Sequence, residues 1–176
     1  MDDSYRLKVL KALTAHLQLI VHEDPDPGNG IEGADFNGFD LSKAVFRGRS
    51  IFGDESPKTM LSILEAPRPD VGRTAGAGEA RVETWQLLLQ GWTPDDPENP
   101  TDNLYRLMQV VEVQLQKIVA VKPSTGKPEY SDAYMLGRTV TSFLFGPGVV
   151  RPPIDQVSSK AMFYMPLGIG LAKSVG

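Results

Sequence analysis

The sequence predicts an α+β fold, a two-layer sandwich with two amphipathic helices on one face of about five mostly antiparallel strands. Three observations predict it. Apolar residues step by threes and fours in two segments, they alternate in several others, and Gly/Pro-rich punctuation separates the runs. The expected order is α-β-β-β-α-β-β in a single domain spanning 1–176, with long loops at 22–40, 66–80 and 146–158.

The first helix is expected over residues 4–21, where Leu10, Leu13, Leu17 and Ile20 line one face and Asp2, Asp3 and Ser4 suit its N-terminus. HEDPDPGNGIEGADFNGFD then excludes regular structure with two prolines and four glycines. VFRGRSIFG (45–53) and TMLSILEA (59–66) read as strands joined by the turn-forming DESPK. In RVETWQLLLQGW (81–92), Trp85, Leu87 and Leu89 share one face, and the LLL triplet predicts a mid-sheet strand buried on both sides.

A second helix is expected over 100–119, with Asn99 as N-cap, Pro100 at the first position, and Leu104, Met108, Val111, Leu115 and Ile118 as its apolar stripe. Two strands follow, LGRTVTSFLF (136–145) and SKAMFYMPLGIGL (159–171), with a stiff proline-containing connector between them. In the last strand Ala161, Phe163, Met165, Leu167, Ile169 and Leu171 face one way. Pro166, which cannot donate to a ladder, points to an edge strand or a bulge.

Composition narrows the function. The chain has 176 residues, is 41% hydrophobic, carries a net charge of −4 and has no cysteine, so disulfides and thiolate metal sites are excluded. No run approaches the ~20 apolar residues of a membrane span, and a soluble intracellular protein is expected. Charge is uneven. Residues 22–40 hold six acids and no Lys or Arg, whereas 136–176 hold Arg138, Arg151, Lys160 and Lys173 against Asp155 alone. Faces of opposite sign suit a subunit stacked between unlike neighbours.

Candidate chemistry is thin. PDVGRTAGAGEAR (69–81) lacks the spacing and the Lys of a phosphate-binding loop and precedes a strand, so it reads as an arm. Ser50 in GRSIFG misses the nucleophile-elbow spacing by one residue, and His16 and His22, six apart, lie on different helical faces. Asp24 and Asp26 begin like a calcium loop, but Gly28, Asn29 and Asp35 depart from its ligand pattern. Glu65, at the end of an apolar strand, is the one carboxylate to watch. No cofactor or metal is expected. Arg47 and Arg49, which an extended strand would point the same way, with Arg68, Arg73 and Arg81 in the adjoining arm, read best as a protein interface; a pI near 5.2 argues against a nucleic-acid binder.

Four phrases carry a resemblance: AVFRGRSIFGDESPKTMLSILEAPRPD, ETWQLLLQGWTPDDPENPTDNLYRLM, LGRTVTSFLFGPGVVRPP and AMFYMPLGIGL. In this order they resemble tail terminator (tail completion) proteins of long-tailed bacteriophages, across most of the chain. The resemblance implies a small α+β fold and no catalytic residues. It also implies a homo-hexameric ring that caps the tail tube, stops its polymerisation and offers a docking surface to neck proteins. The partners implied are the chain itself, the tail tube protein and the neck/connector proteins, with DNA passing through the lumen unread. The place implied is the virion's tail end, reached from the host cytoplasm. Asp24, Asp26, Glu32 and Asp35 of the acidic loop, the Gly/Ala arm, and Arg151 would serve lumen or ring contacts; both loops are longer than the resemblance calls for. A neck protein (a stopper or head–tail connector), a small hydrolase using Ser50 or Glu65, and a cytoplasmic adaptor are the alternatives.

Overall fold

The computed structural model of the chain describes residues 1–21, 36, 38–50, 56–66, 83–94, 96–153 and 160–171. Helix α1 spans Tyr5–Leu17 and α2 spans Asp102–Gln116, and the strands are β1 Val45–Arg47, β2 Met60–Glu65, β3 Glu83–Trp92, β4 Ser142–Phe145, β5 Val149–Arg151 and β6 Met162–Leu171. The class is α+β, as the sequence predicts, with six strands among the described residues where about five are expected. No helix among the described residues is long and apolar enough to cross a membrane.

The strands form one mixed sheet in the order β1-β2-β3-β6-β4, with β5 also pairing β6. Four pairings are antiparallel, while β1 and β2 run parallel. The turn expected between those two strands therefore does not make a hairpin. Gly48, at a φ of 69°, turns the chain out of β1 early. Ser62 of β2 then fixes the departing segment: its hydroxyl donates to the Arg49 carbonyl at 2.6 Å and accepts the Arg49 N–H at 3.2 Å.

Strand β6 is central, not an edge. Ala161, Phe163, Met165, Leu167 and Ile169 are fully buried, and Leu171 nearly so, as the alternation predicts. Pro166 pairs with Leu88 of β3 on one side, while on the other its carbonyl accepts the Gly146 N–H at 3.1 Å, where β4 has ended and β5 has not begun. In an antiparallel strand the N–H and C=O of one residue point to the same side. The donor that proline lacks would thus have faced a break in the ladder, where its loss costs little.

β5 lies inside the stretch read as an irregular connector. The expected strand from residue 136 begins only at Ser142, because Met135, Leu136, Gly137 and Arg138 have φ of 50°, 52°, 69° and 63° and form a left-handed turn. For three non-glycine residues that costs about 1–2 kcal/mol each. The turn is held by N–H bonds from Met135 to Ile118 O (2.8 Å) and from Arg138 to Tyr134 O (3.1 Å), and by burial of Leu136.

Both helices pack on the Trp85/Leu87/Leu89 side of the sheet. Val9, Leu13 and Leu17 of α1, Leu104, Leu107, Val111 and Leu115 of α2, and the inward β6 residues form one core. Phe36, inside the 22–40 segment expected to be irregular, is buried in this core. Ser4 caps α1, its hydroxyl accepting the Leu7 N–H at 3.3 Å. α2 starts two residues later than expected. Asp96, not Asn99, organises the approach by accepting the Glu98 and Asn99 N–H groups at 2.8 and 2.9 Å, and Thr101 holds the cap position.

Candidate functional site

The sheet has a second face, and no helix lies over it among the described residues. Register places Ser62, Gln90, Tyr164 and Val149 in one row across it, Leu64, Leu88 and Pro166 in the next, and Gln86, Gly168 and Leu144 in a third. Leu88 is only half-buried, so the LLL triplet is covered on one side and not on both as expected. Leu144 is 70% exposed and Val149 36%. An apolar row with polar flanks on an open sheet is how a sheet presents itself to a partner.

Arg49 lies on this outer face, its guanidinium 4.5 Å from the centre of the Phe46 ring and donating to Ser56 Oγ at 2.8 Å. Arg47 lies on the other side and donates to Thr14 Oγ1 of α1 at 3.0 Å. The two arginines do not share a face, because Gly48 leaves the extended conformation between them. Arg151 is exposed on β5, with its guanidinium 3.4 Å from the Tyr164 hydroxyl that accepts from it. Arg68, Arg73, Asp24, Asp26, Glu32, Asp35, Arg81 and His22, and the arm 69–81, lie outside the described residues.

The helix layer holds a groove of about 560 Å³ between α1, the end of α2 and residues 129–137. At its floor α1 and α2 are clasped reciprocally. Gln114 Nε2 donates to the His16 carbonyl at 2.8 Å, and His16 Nε2 lies 2.7 Å from the Gln114 carbonyl. A carbonyl can only accept, so His16 Nε2 carries the proton of a neutral ring. Burial holds its pKa below the ordinary value, outweighing the Gln114 bond that raises it; nearby Lys117 lowers it further. Lys117, itself buried, has its ammonium 5.5 and 5.3 Å from the Phe36 and Tyr130 rings. Gln114 Oε1 is buried with no hydrogen-bond partner among the described residues.

Sequence reading passed over this clasp, although a signal was present. His16 falls among Leu13, Leu17 and Ile20, and Gln114 among Val110, Val111, Leu115 and Ile118, so each is a polar residue in an apolar stripe. Such a residue must find a partner inside.

The hydrolase candidates are not brought together. Ser50 is exposed beyond the end of β1, next to Arg49 on the outer side of the sheet, and His16 is in the helix layer with its Nε2 committed to a backbone carbonyl. Glu65 is exposed at the end of β2 and accepts the Trp85 indole N–H at 3.2 Å. Among the described residues no group of three or more His, Asp or Glu could hold a metal ion. No protein-family model matches the chain, and no curated protein matches it.

Proposed function

We propose that this chain is a tail terminator of a long-tailed bacteriophage, a structural protein whose copies close into a ring on the last ring of the tail tube. One observation carries the reading beyond the resemblance of the phrases. It is a two-layer fold with one sheet face packed under two helices and the other bare of helix among the described residues, with Leu144 and Val149 outward. Surfaces of this kind do their work by contact. A heterologous contact repeated by a fixed rotation closes a ring. If one rim of that ring copies the tube subunit's contacts and the other does not, growth stops there and the neck has a surface to dock on.

The test is assembly on tube ends. Tail tubes polymerised in the presence of the protein should carry one ring at one end, with six copies per tube, and tubes grown without it should overrun their length. Copies spread along the shaft, or a different stoichiometry, would defeat the capping reading. Binding to tailless capsids instead of free tubes would reassign the chain to the neck.

A further inference from the structure

The outer sheet face, bare of helix among the described residues, and the groove lie on opposite layers of one molecule. Leu144, Val149 and Arg151 are opposite Gly168, Tyr164 and Met162 of β6, all of one parity, so the three side chains share the outer face. They form a ridge with Pro166 exposed between its first two members. At ~3.3 Å per residue, Leu144 and Val149 stand about 13 Å apart, and Arg151 is about 7 Å further on.

The groove is lined on one side by Ala12, Ala15 and Leu19 of α1 and the residues just after it, a second apolar stripe on a helix whose core stripe is already buried. Two alanines leave room for another chain to approach, and Leu19 is 57% exposed at the rim. The facing wall is Leu136, with the acids Glu129 and Asp132 beside it. The ridge is apolar and ends in a cation; the groove is apolar along α1, has the buried Lys117 at its floor, and is edged with the acids Glu129 and Asp132.

We propose that the groove receives the β4–β5 ridge of the next copy of this chain, with Leu144 and Val149 seated against α1 and Arg151 facing Asp132. This rests on the ring reading and names its interface. Ridge and groove point away from each other within one molecule, so neither can cover the other internally. A two-fold dimer made by the ridge alone would leave the groove unfilled. Ridge into groove is head-to-tail, the arrangement that repeats until it closes.

The chain's lack of cysteine allows a clean test. Oxidation of the full chain carrying both Ala15→Cys and Leu144→Cys should give a ladder of covalent oligomers that ends at the ring size. Each single-cysteine chain should stop at a dimer. Leu144→Glu, at an exposed position that leaves the circular dichroism unchanged, should weaken self-association by about a hundredfold, the loss expected when a central anchor is replaced by a charge. Asp132→Arg should weaken it too, and Arg151→Asp in the same chain should restore part of the loss. Rings that form normally with Leu144→Glu, together with no ladder from the double-cysteine chain, would overturn this interface and leave the ring reading intact. A wild-type chain that stays monomeric both at high concentration and on tube ends would overturn both.

Discussion

Gly91, in the QGW phrase of β3, sits opposite Phe163 of β6, and the ring covers it. A Cβ built at Gly91 would lie 2.6 Å from Phe163 Cζ and 2.8 Å from Cδ1, and closer still to Cε1. Phe163 is fully buried, so its ring has no solvent to swing into. Overpacking of this kind costs about 1–3 kcal/mol, and contact so far inside van der Waals distance puts Gly91→Ala at the upper end. Replacing glycine in a strand returns about 0.5–1 kcal/mol of backbone entropy, so the clash wins. The expected net loss is about 2 kcal/mol, or a fall of roughly 4–8 °C in Tm for a domain of this size. Urea unfolding followed by circular dichroism measures it. Phe163→Leu removes the offending atoms, so the double variant should lose less than the sum of the two single losses, with a coupling of at least about 1 kcal/mol. A Gly91→Ala chain within about 0.5 kcal/mol of wild type, or strict additivity, would refute the argument.

Two further outcomes follow from the helix layer. Burial depresses the His16 pKa below its ordinary 6.5 in the folded chain, so the unfolded chain takes up the proton first. Stability from this group is complete above about pH 6.5 and is lost as pH falls from there toward the folded value, by at most ~1.4 kcal/mol per pH unit. Urea midpoints between roughly pH 5 and 7 should show that slope, and His16→Gln should flatten it; an unchanged slope would exonerate His16. In the left-handed turn, Arg138→Gly should be more stable than Arg138→Ala by about 1 kcal/mol, because both lose the contact with Tyr134 and only glycine relieves the φ of 63°. Equal melting temperatures would mean the turn is unstrained.

The parts of the fold that sequence revealed are those where one physical period governs many residues. The alternation in β6 from Ala161 to Leu171 puts its residues in the core as read, and so do the helix stripes except at Leu10 and Met108, which are half-buried while their neighbours Val9 and Leu107 take the core positions. Where a single residue decides, pattern fails. Gly48 ends β1 and separates Arg47 from Arg49, yet in the string it sits inside an apparent strand. LGRTVTSFLF alternates well enough to look extended, but the left-handed turn at its start is held by the Ile118 carbonyl accepting from Met135 just before it and the Tyr134 carbonyl accepting from Arg138, which no local pattern foretells. β5 is three residues among prolines, too short for periodicity to register, and exists because β6 offers it an edge. Pro166 was read by its local rule, and the rule holds only in that the missing donor falls where the ladder breaks. The groove is assembled from α1, α2 and the 129–137 stretch, so its residues were legible only as polar intrusions in apolar stripes.

The place of β6 in the sheet has a consequence for how the molecule is made. Synthesis delivers β6 after every strand it joins, and until then β3 has an unpaired edge and the inner row from Trp85 to Leu89 lacks its flanking neighbours Ile169, Leu167 and Met165. A nascent chain halted before Met162 would therefore carry both helices and most of the strands without the staple that unites them. Its bare strand edges would invite pairing with other unfinished chains until β6 arrives to occupy them.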